Sequence, residues 1–154
     1  MQEIHLTPYP VFGACANSPR KDAPMANAPT PSTPSNDHIS VDHILIGVKS
    51  SRFPPGKRNE ADARTFAYDL FAKLKAGGDW DAAKRANSED PPPGGPYGLA
   101  NHGVAPSGRE EYARGAMVPA FGDVGFTLAV GAIGIADYDA KTSPFGFHII
   151  KRVK

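Results

Sequence analysis

Two apolar stretches, each with a histidine inside it, constrain the fold of this chain more than anything else in it. The first is Ile39-Ser40-Val41-Asp42-His43-Ile44-Leu45-Ile46-Gly47-Val48. The second is Gly146-Phe147-His148-Ile149-Ile150-Lys151-Arg152-Val153, one residue short of the end of the sequence. Both have strand length and are rich in β-branched and aromatic residues, the pattern of buried strands. Two such strands, each carrying one histidine, place a polar spot in the middle of one sheet.

The part of the chain before the first strand differs in kind. Residues 1–36 hold seven of the 16 prolines of this 154-residue chain, interleaved with Ala, Ser, Thr and Asn. So little apolar surface does not offset the entropy of ordering a chain. Residues 1–37 therefore read as a disordered proline-rich tether and 38–154 as one domain, long enough to bury an ordinary core. A net charge of +1 gives no case for nucleic acid or a membrane surface as partner. No stretch is apolar for long enough to span a bilayer.

The single cysteine, Cys15, excludes an internal disulfide and a multi-cysteine metal site. Its setting, Val11-Phe12-Gly13-Ala14-Cys15, resembles a bacterial lipoprotein cleavage site. No basic segment precedes it, and Glu3, His5, Pro8 and Pro10 interrupt the apolar segment such a leader needs. A periplasmic or envelope location, with a lipid at Cys15, and a cytoplasmic one both stay open.

Between the two strands the chain reads mostly as helices and loops. Lys49 to Arg58 is a loop by its prolines and glycine; its four basic side chains make it either a solvated loop or a small cationic patch. Asn59 caps a helix over 60–76, with Glu60 and Asp62 in the first turn and Ala63, Phe66, Leu70 and Leu74 repeating at helical spacing. Gly77-Gly78 ends it, and Asp79 caps a second helix from Trp80 to about Ala86. Ser88 to Gly98 is a proline- and glycine-rich turn region in which Asp90 is held extended by the proline after it. Leu99 to Arg114 shows no period and reads as a long loop, with one helical turn over 109–113 as an option. Met117-Val118-Pro119-Ala120-Phe121 opens a third helix with Pro119 in its first turn, and its spacing puts Met117 and Phe121 on one face. Gly131 to Tyr138 is a turn plus a strand. Separated strands with helices between them point to an α+β fold.

Val41-Asp42-His43-Ile44-Leu45-Ile46, Ser88-Glu89-Asp90, Gly94-Gly95, Gly115-Ala116-Met117-Val118-Pro119-Ala120-Phe121 and Phe145-Gly146-Phe147-His148-Ile149-Ile150 follow one another in this order. The series resembles the parvulin-type peptidyl-prolyl cis/trans isomerases, over nearly all of residues 38–154. The resemblance implies a four-stranded, mostly antiparallel sheet surrounded by three to four helices. It implies a catalytic set of His43, Asp90, His148 and Ser143, with Met117, Phe121, Tyr97 and Phe145 binding the substrate. Met117 and Phe121 would form the apolar slot for the proline ring. It implies proline-containing polypeptide substrates, no cofactor and a monomer. The chain departs from the family where Gly94-Gly95-Pro96-Tyr97-Gly98 replaces the common Gly-Gly-Asp-Leu-Gly. Tyr97 stands in for an apolar pocket residue, and Pro96 removes a donor from a strand that is then broken or at an edge. The stretch from Leu99 to Arg114 is longer than usual.

The chemistry such a site must do is modest. Rotation about X–Pro breaks amide resonance against a barrier of roughly 18–20 kcal/mol. No covalent bond is made or broken. An apolar clamp on the ring, a polar group near the carbonyl and a rigid frame are enough. Met117 and Phe121 suit the clamp, and Asp90 the polar group. The histidines read either as a structural, tautomer-locked pair that orients Asp90 or Ser143, or as ligands of a zinc ion with Asp90. Two functions follow: an isomerase that assists folding or conformational switching of client proteins at X–Pro bonds, or a non-catalytic parvulin-like chaperone or adaptor that binds peptides.

Overall fold

A computed structural model describes residues 36–154. Cys15 and all but the last two residues of the expected tether fall outside the described residues. The element order is β1 (His38–Gly47), α1 (Glu60–Lys75), α2 (Trp80–Asn87), β2 (Tyr97–Ala100), β3 (Glu111–Ala113), a 3-10 turn (Arg114–Ala116), α3 (Pro119–Thr127), β4 (Ile133–Ala136) and β5 (Gly146–Arg152). The fold is α+β.

The strands form one sheet in the order β3-β2-β1-β5-β4. β1 pairs antiparallel with both β2 and β5, and β4 pairs antiparallel with β5. Only β2 and β3 run parallel. The sheet thus has five strands rather than the four expected. The additional strand, β3, lies in the stretch read as a loop, where a helical turn was the alternative. Three residues are too few to show a period, and β3 exists only because β2 offers it a partner edge. Pro96 does not break β2 or leave it at an edge: the strand starts one residue later and has a neighbour on each side.

Alternation along β1 divides the core in two. On one face Ile44 and Ile46 join Phe147 and Ile149 of β5, covered by Ala63, Ala67 and Leu74 of α1 and by Trp80 of α2. On the other, Ile39 and Val41 join Leu99 of β2 and Ile150 of β5, covered by Phe121 and Phe126 of α3. The helices start where the sequence places its caps. Asn59 Oδ1 accepts from the Asp62 N–H at 2.9 Å, and Asp79 Oδ1 from the Ala82 N–H at 3.0 Å. Pro119 opens α3, where its missing N–H costs nothing. Gly125 lets α3 lie close on the sheet, since a Cβ there would stand 3.3 Å from Val41 Cγ1.

The first two described residues are tied to the domain. The Asn36 side chain accepts from Arg152 Nη1 at 3.0 Å, its carbonyl from Asn101 Nδ2 at 3.1 Å, and the Asp37 carbonyl from the Asn101 N–H at 2.8 Å.

Candidate active site

The register of β1 on β5 builds the centre of the site. His43 lies opposite Ile150 and Leu45 opposite His148, so the two histidines are diagonal neighbours on the same sheet face. Their rings meet edge to face, 5.3 Å between centroids. Both residues are 4% exposed. None of the four ring nitrogens has a hydrogen-bond partner among the described residues. No aligned hydrogen bond from the described residues thus fixes either ring, while Ser143 bonds elsewhere and Asp90 stays in close contact with His43. Phe121 closes over both rings, its centroid 5.0 Å from His43 and 5.7 Å from His148.

Asp90 reaches this centre because the chain after α2 is pinned to the middle of β1. The Glu89 N–H donates to the Leu45 carbonyl at 2.8 Å, and the Ser88 hydroxyl accepts from the Leu45 N–H at 3.2 Å. That carries Asp90 Oδ2 to 3.1 Å from His43 Nε2. The contact is a close electrostatic one that lacks the alignment of a hydrogen bond. An aligned one comes from Tyr97, whose hydroxyl donates to the same Oδ2 at 3.0 Å.

Electrostatics follow from this arrangement. Burial alone would raise the Asp90 pKa, but the His43 ring, the Tyr97 hydroxyl and the His148 ring together hold it below the ordinary value. Burial, then the hydrogen bond to Asp90 and its charge, push the Tyr97 phenol up to about 12. Burial, reinforced by the neighbouring His43, pushes His148 down to about 3. At neutral pH the centre holds a carboxylate, a neutral phenol and a neutral His148.

Around these groups is a cavity of about 420 Å³. His43, Asp90, His148, Tyr97, Met117, Phe121 and Phe145 all line it, joined by Leu45, Phe53, Pro91, Tyr112 and Val118. Seven of the eight residues singled out in the sequence thus converge. Ser143 does not: it is fully buried and its hydroxyl donates to the Gly146 carbonyl at 2.8 Å, shaping the entry to β5. Among the described residues no three His, Cys, Asp or Glu side chains are grouped as they would be around a metal ion.

Met117 and Phe121 reach the cavity by a route the spacing did not show. Met117 precedes α3 in extended backbone, φ −96° and ψ 166°, so the two are not on one helical face. Proline at the first helical position makes the helix start after Val118, and the turn before it aims Met117 inward. Phe121 is both cavity wall and core, at 1% exposed, whereas Met117 is half-buried.

Other wall residues escaped the sequence reading. Leu45 shares the face of His43 by simple alternation, so the signal was present. Phe53 sits in a proline-bounded loop and meets Phe145 at 6.1 Å between centroids. Tyr112 lies in the aperiodic stretch and meets Tyr97 at 6.0 Å. Glu89 also went unmarked, although it fastens the basic loop: it accepts from Arg58 Nη1 at 2.6 Å and from the Lys57 N–H at 3.2 Å. Arg58 is thereby engaged inside the domain, and Lys49, Arg52 and Lys57 remain exposed.

A family model for the PPIC-type PPIase domain matches residues 30–154. Among solved structures, the solution structure of TbPIN1 superposes with a TM-score of 0.56 at 19% sequence identity, over 77% of this chain and 98% of that one. That likeness is one of fold. No curated protein matches the sequence. With the family model spanning most of the chain and all of the cavity wall, this protein belongs to the PPIC-type peptidyl-prolyl isomerase family and carries a parvulin-type rotamase domain.

Proposed function

We infer that the domain catalyses cis/trans isomerisation of X–Pro bonds in polypeptides. The observation that carries this reading is the placement of one ionised carboxylate, Asp90, on the wall of an otherwise apolar cavity beside two buried histidines. Met117 and Phe121 grip the proline ring. As the amide twists, its nitrogen turns pyramidal and its carbonyl loses conjugation. Fixed charges in a water-poor cavity act on that change more strongly than water does, because they need no reorganisation at the moment of reaction. His43 and His148 serve as a rigid floor that sets the position of Asp90. No proton transfer is required of His148, which stays neutral at working pH.

A second reading, a non-catalytic peptide-binding domain, draws support from Tyr97. Its hydroxyl already occupies Asp90 Oδ2, the atom nearest His43. One experiment separates the two. Protease-coupled or exchange-NMR rates on a panel of X–Pro peptides should exceed the uncatalysed rate in proportion to protein concentration. Saturable peptide binding with no acceleration on any of the panel would overturn the enzymatic reading in favour of the second.

A further inference from the structure

β3 brings to the cavity a side chain that grips neither the proline ring nor the twisting amide. Tyr112 pairs in register with Leu99 of β2, and its ring lies against Tyr97 at 68° between planes. It is 45% exposed, and none of the three β3 residues is buried. Folding gains little from such a strand. What it does accomplish is to set a second phenol ring at the rim of the cavity.

Position along the sheet shows which part of the cavity this is. Tyr97 lies opposite Val41, two residues before His43 on β1. Phe53 packs at the other end, where a Cβ on Gly47 would stand 2.5 Å from its ring. Six residues of strand separate the two ends, roughly 20 Å at about 3.3 Å each. One prolyl ring over the histidine pair leaves the Tyr97–Tyr112 end for another part of the substrate.

The geometry points to Tyr97 and Tyr112 as a subsite for an aromatic side chain adjacent to the proline of the substrate. The assignment rests on the isomerase reading and adds to it the class of residue selected. Tilted rings offer a third ring both a face and an edge at the separations of about 4.5–7 Å that aromatic pairs prefer, which an aliphatic chain uses less well. An acidic residue is disfavoured beside Tyr97, whose hydroxyl already holds the Asp90 carboxylate.

The test compares kcat/KM for peptides with Phe or Ala placed immediately before, and in a second pair immediately after, the proline. The wild-type protein should favour Phe over Ala about three- to tenfold in one of the pairs, the range expected of a single aromatic contact. Tyr112→Ala should bring that ratio near one, and Tyr112→Phe should keep it, with melting temperatures confirming that both variants are folded. If Tyr112→Ala does not fold, Tyr112→Leu carries the comparison. Equal wild-type rates for Phe and Ala in both pairs, or a preference that survives loss of the ring, would overturn the subsite. If no peptide is turned over, the isomerase reading fails separately. NMR titration with the same peptides then decides the subsite by the ratio of Kd values, with the same expectations for each variant.

Discussion

The phenol of Tyr97 donates its proton to Asp90 Oδ2 at 3.0 Å, across a seven-residue separation that contains the proline-glycine turn. This single bond joins the residue that departs from the family pattern to the one charge in the cavity wall. It also keeps both groups in fixed states near neutral pH, the carboxyl ionised and the phenol neutral.

Tyr97→Phe removes that donor and leaves the ring. The folded state should lose about 1 kcal/mol, the ordinary net worth of one hydrogen bond. The Asp90 pKa should rise relative to wild type, because one of the groups that lower it is gone. Carbonyl-carbon NMR of Asp90 through an acid titration reads this directly. An unchanged value would mean that the phenol does not hold the carboxylate in solution.

Met117 is the cleaner probe of the proline slot. Phe121→Ala should destabilise by about 3–5 kcal/mol, since this large ring is fully buried in the core. Its activity loss would therefore mix unfolding with catalysis. Met117→Ala empties a half-buried position in front of the helix and should melt within a few degrees of wild type. The isomerisation rate should fall at least about tenfold, equivalent to about 1.4 kcal/mol of lost transition-state contact. A folded Met117→Ala with undiminished rate would remove it from the slot.

Acid should destabilise the domain through His148 before it protonates Asp90. The unfolded chain takes a proton on this histidine near 6.5, the folded chain only near 3. Between those values the unfolded state binds more protons, so stability rises with pH and is lost on acidification. Asp90 adds to the trend lower down. Its folded pKa lies below 3.8, so its contribution is present above that value and disappears as pH falls through the folded one. Denaturant unfolding of wild type and His148→Phe, from about pH 7.5 to 4.5, should show a drop in wild-type stability that the variant largely lacks. Parallel curves would contradict the assignment.

Glu89→Ala should loosen the basic loop. The carboxylate is 5% exposed and holds both the Arg58 guanidinium and the Lys57 N–H. Loss of these bonds should cost about 2 kcal/mol, a value typical of hydrogen bonds to a charged group. Amide hydrogen exchange over residues 49–58 should speed up more than exchange in β5. Equal protection in both would show that the loop is fastened elsewhere.

Much of the fold was legible because its signals are local. Asn59, Asp79 and Pro119 mark helix starts through bonds made within one turn, and residue order alone carries them. The alternation in β1 and β5 is likewise written in consecutive residues, and it placed His43 and His148 inside one sheet. The ordered resemblance then brought Asp90, Met117, Phe121, Tyr97 and Phe145 to one site before any distance was known.

Tertiary structure decided what depends on pairing between distant segments. β3 has three residues and no period of its own; it is a strand because the edge of β2 accepts it, and with it came Tyr112. Ser143 fits the family order, yet its hydroxyl turns to the Gly146 carbonyl, because the entry to β5 needs that bond in a place with no room for water. Met117 enters the cavity from extended backbone, a direction set by where Pro119 lets the helix begin. The orphaned ring nitrogens of His43 and His148, and the suppressed basicity of His148, come from burial by Phe121 and the sheet. The sequence by itself determined the helices, the two histidine strands and the identity of the groups at the centre. Which of those groups touch, and which are cut off from water, only the packing of remote segments decided, since desolvation and cross-strand register belong to the assembled sheet and not to any stretch of it.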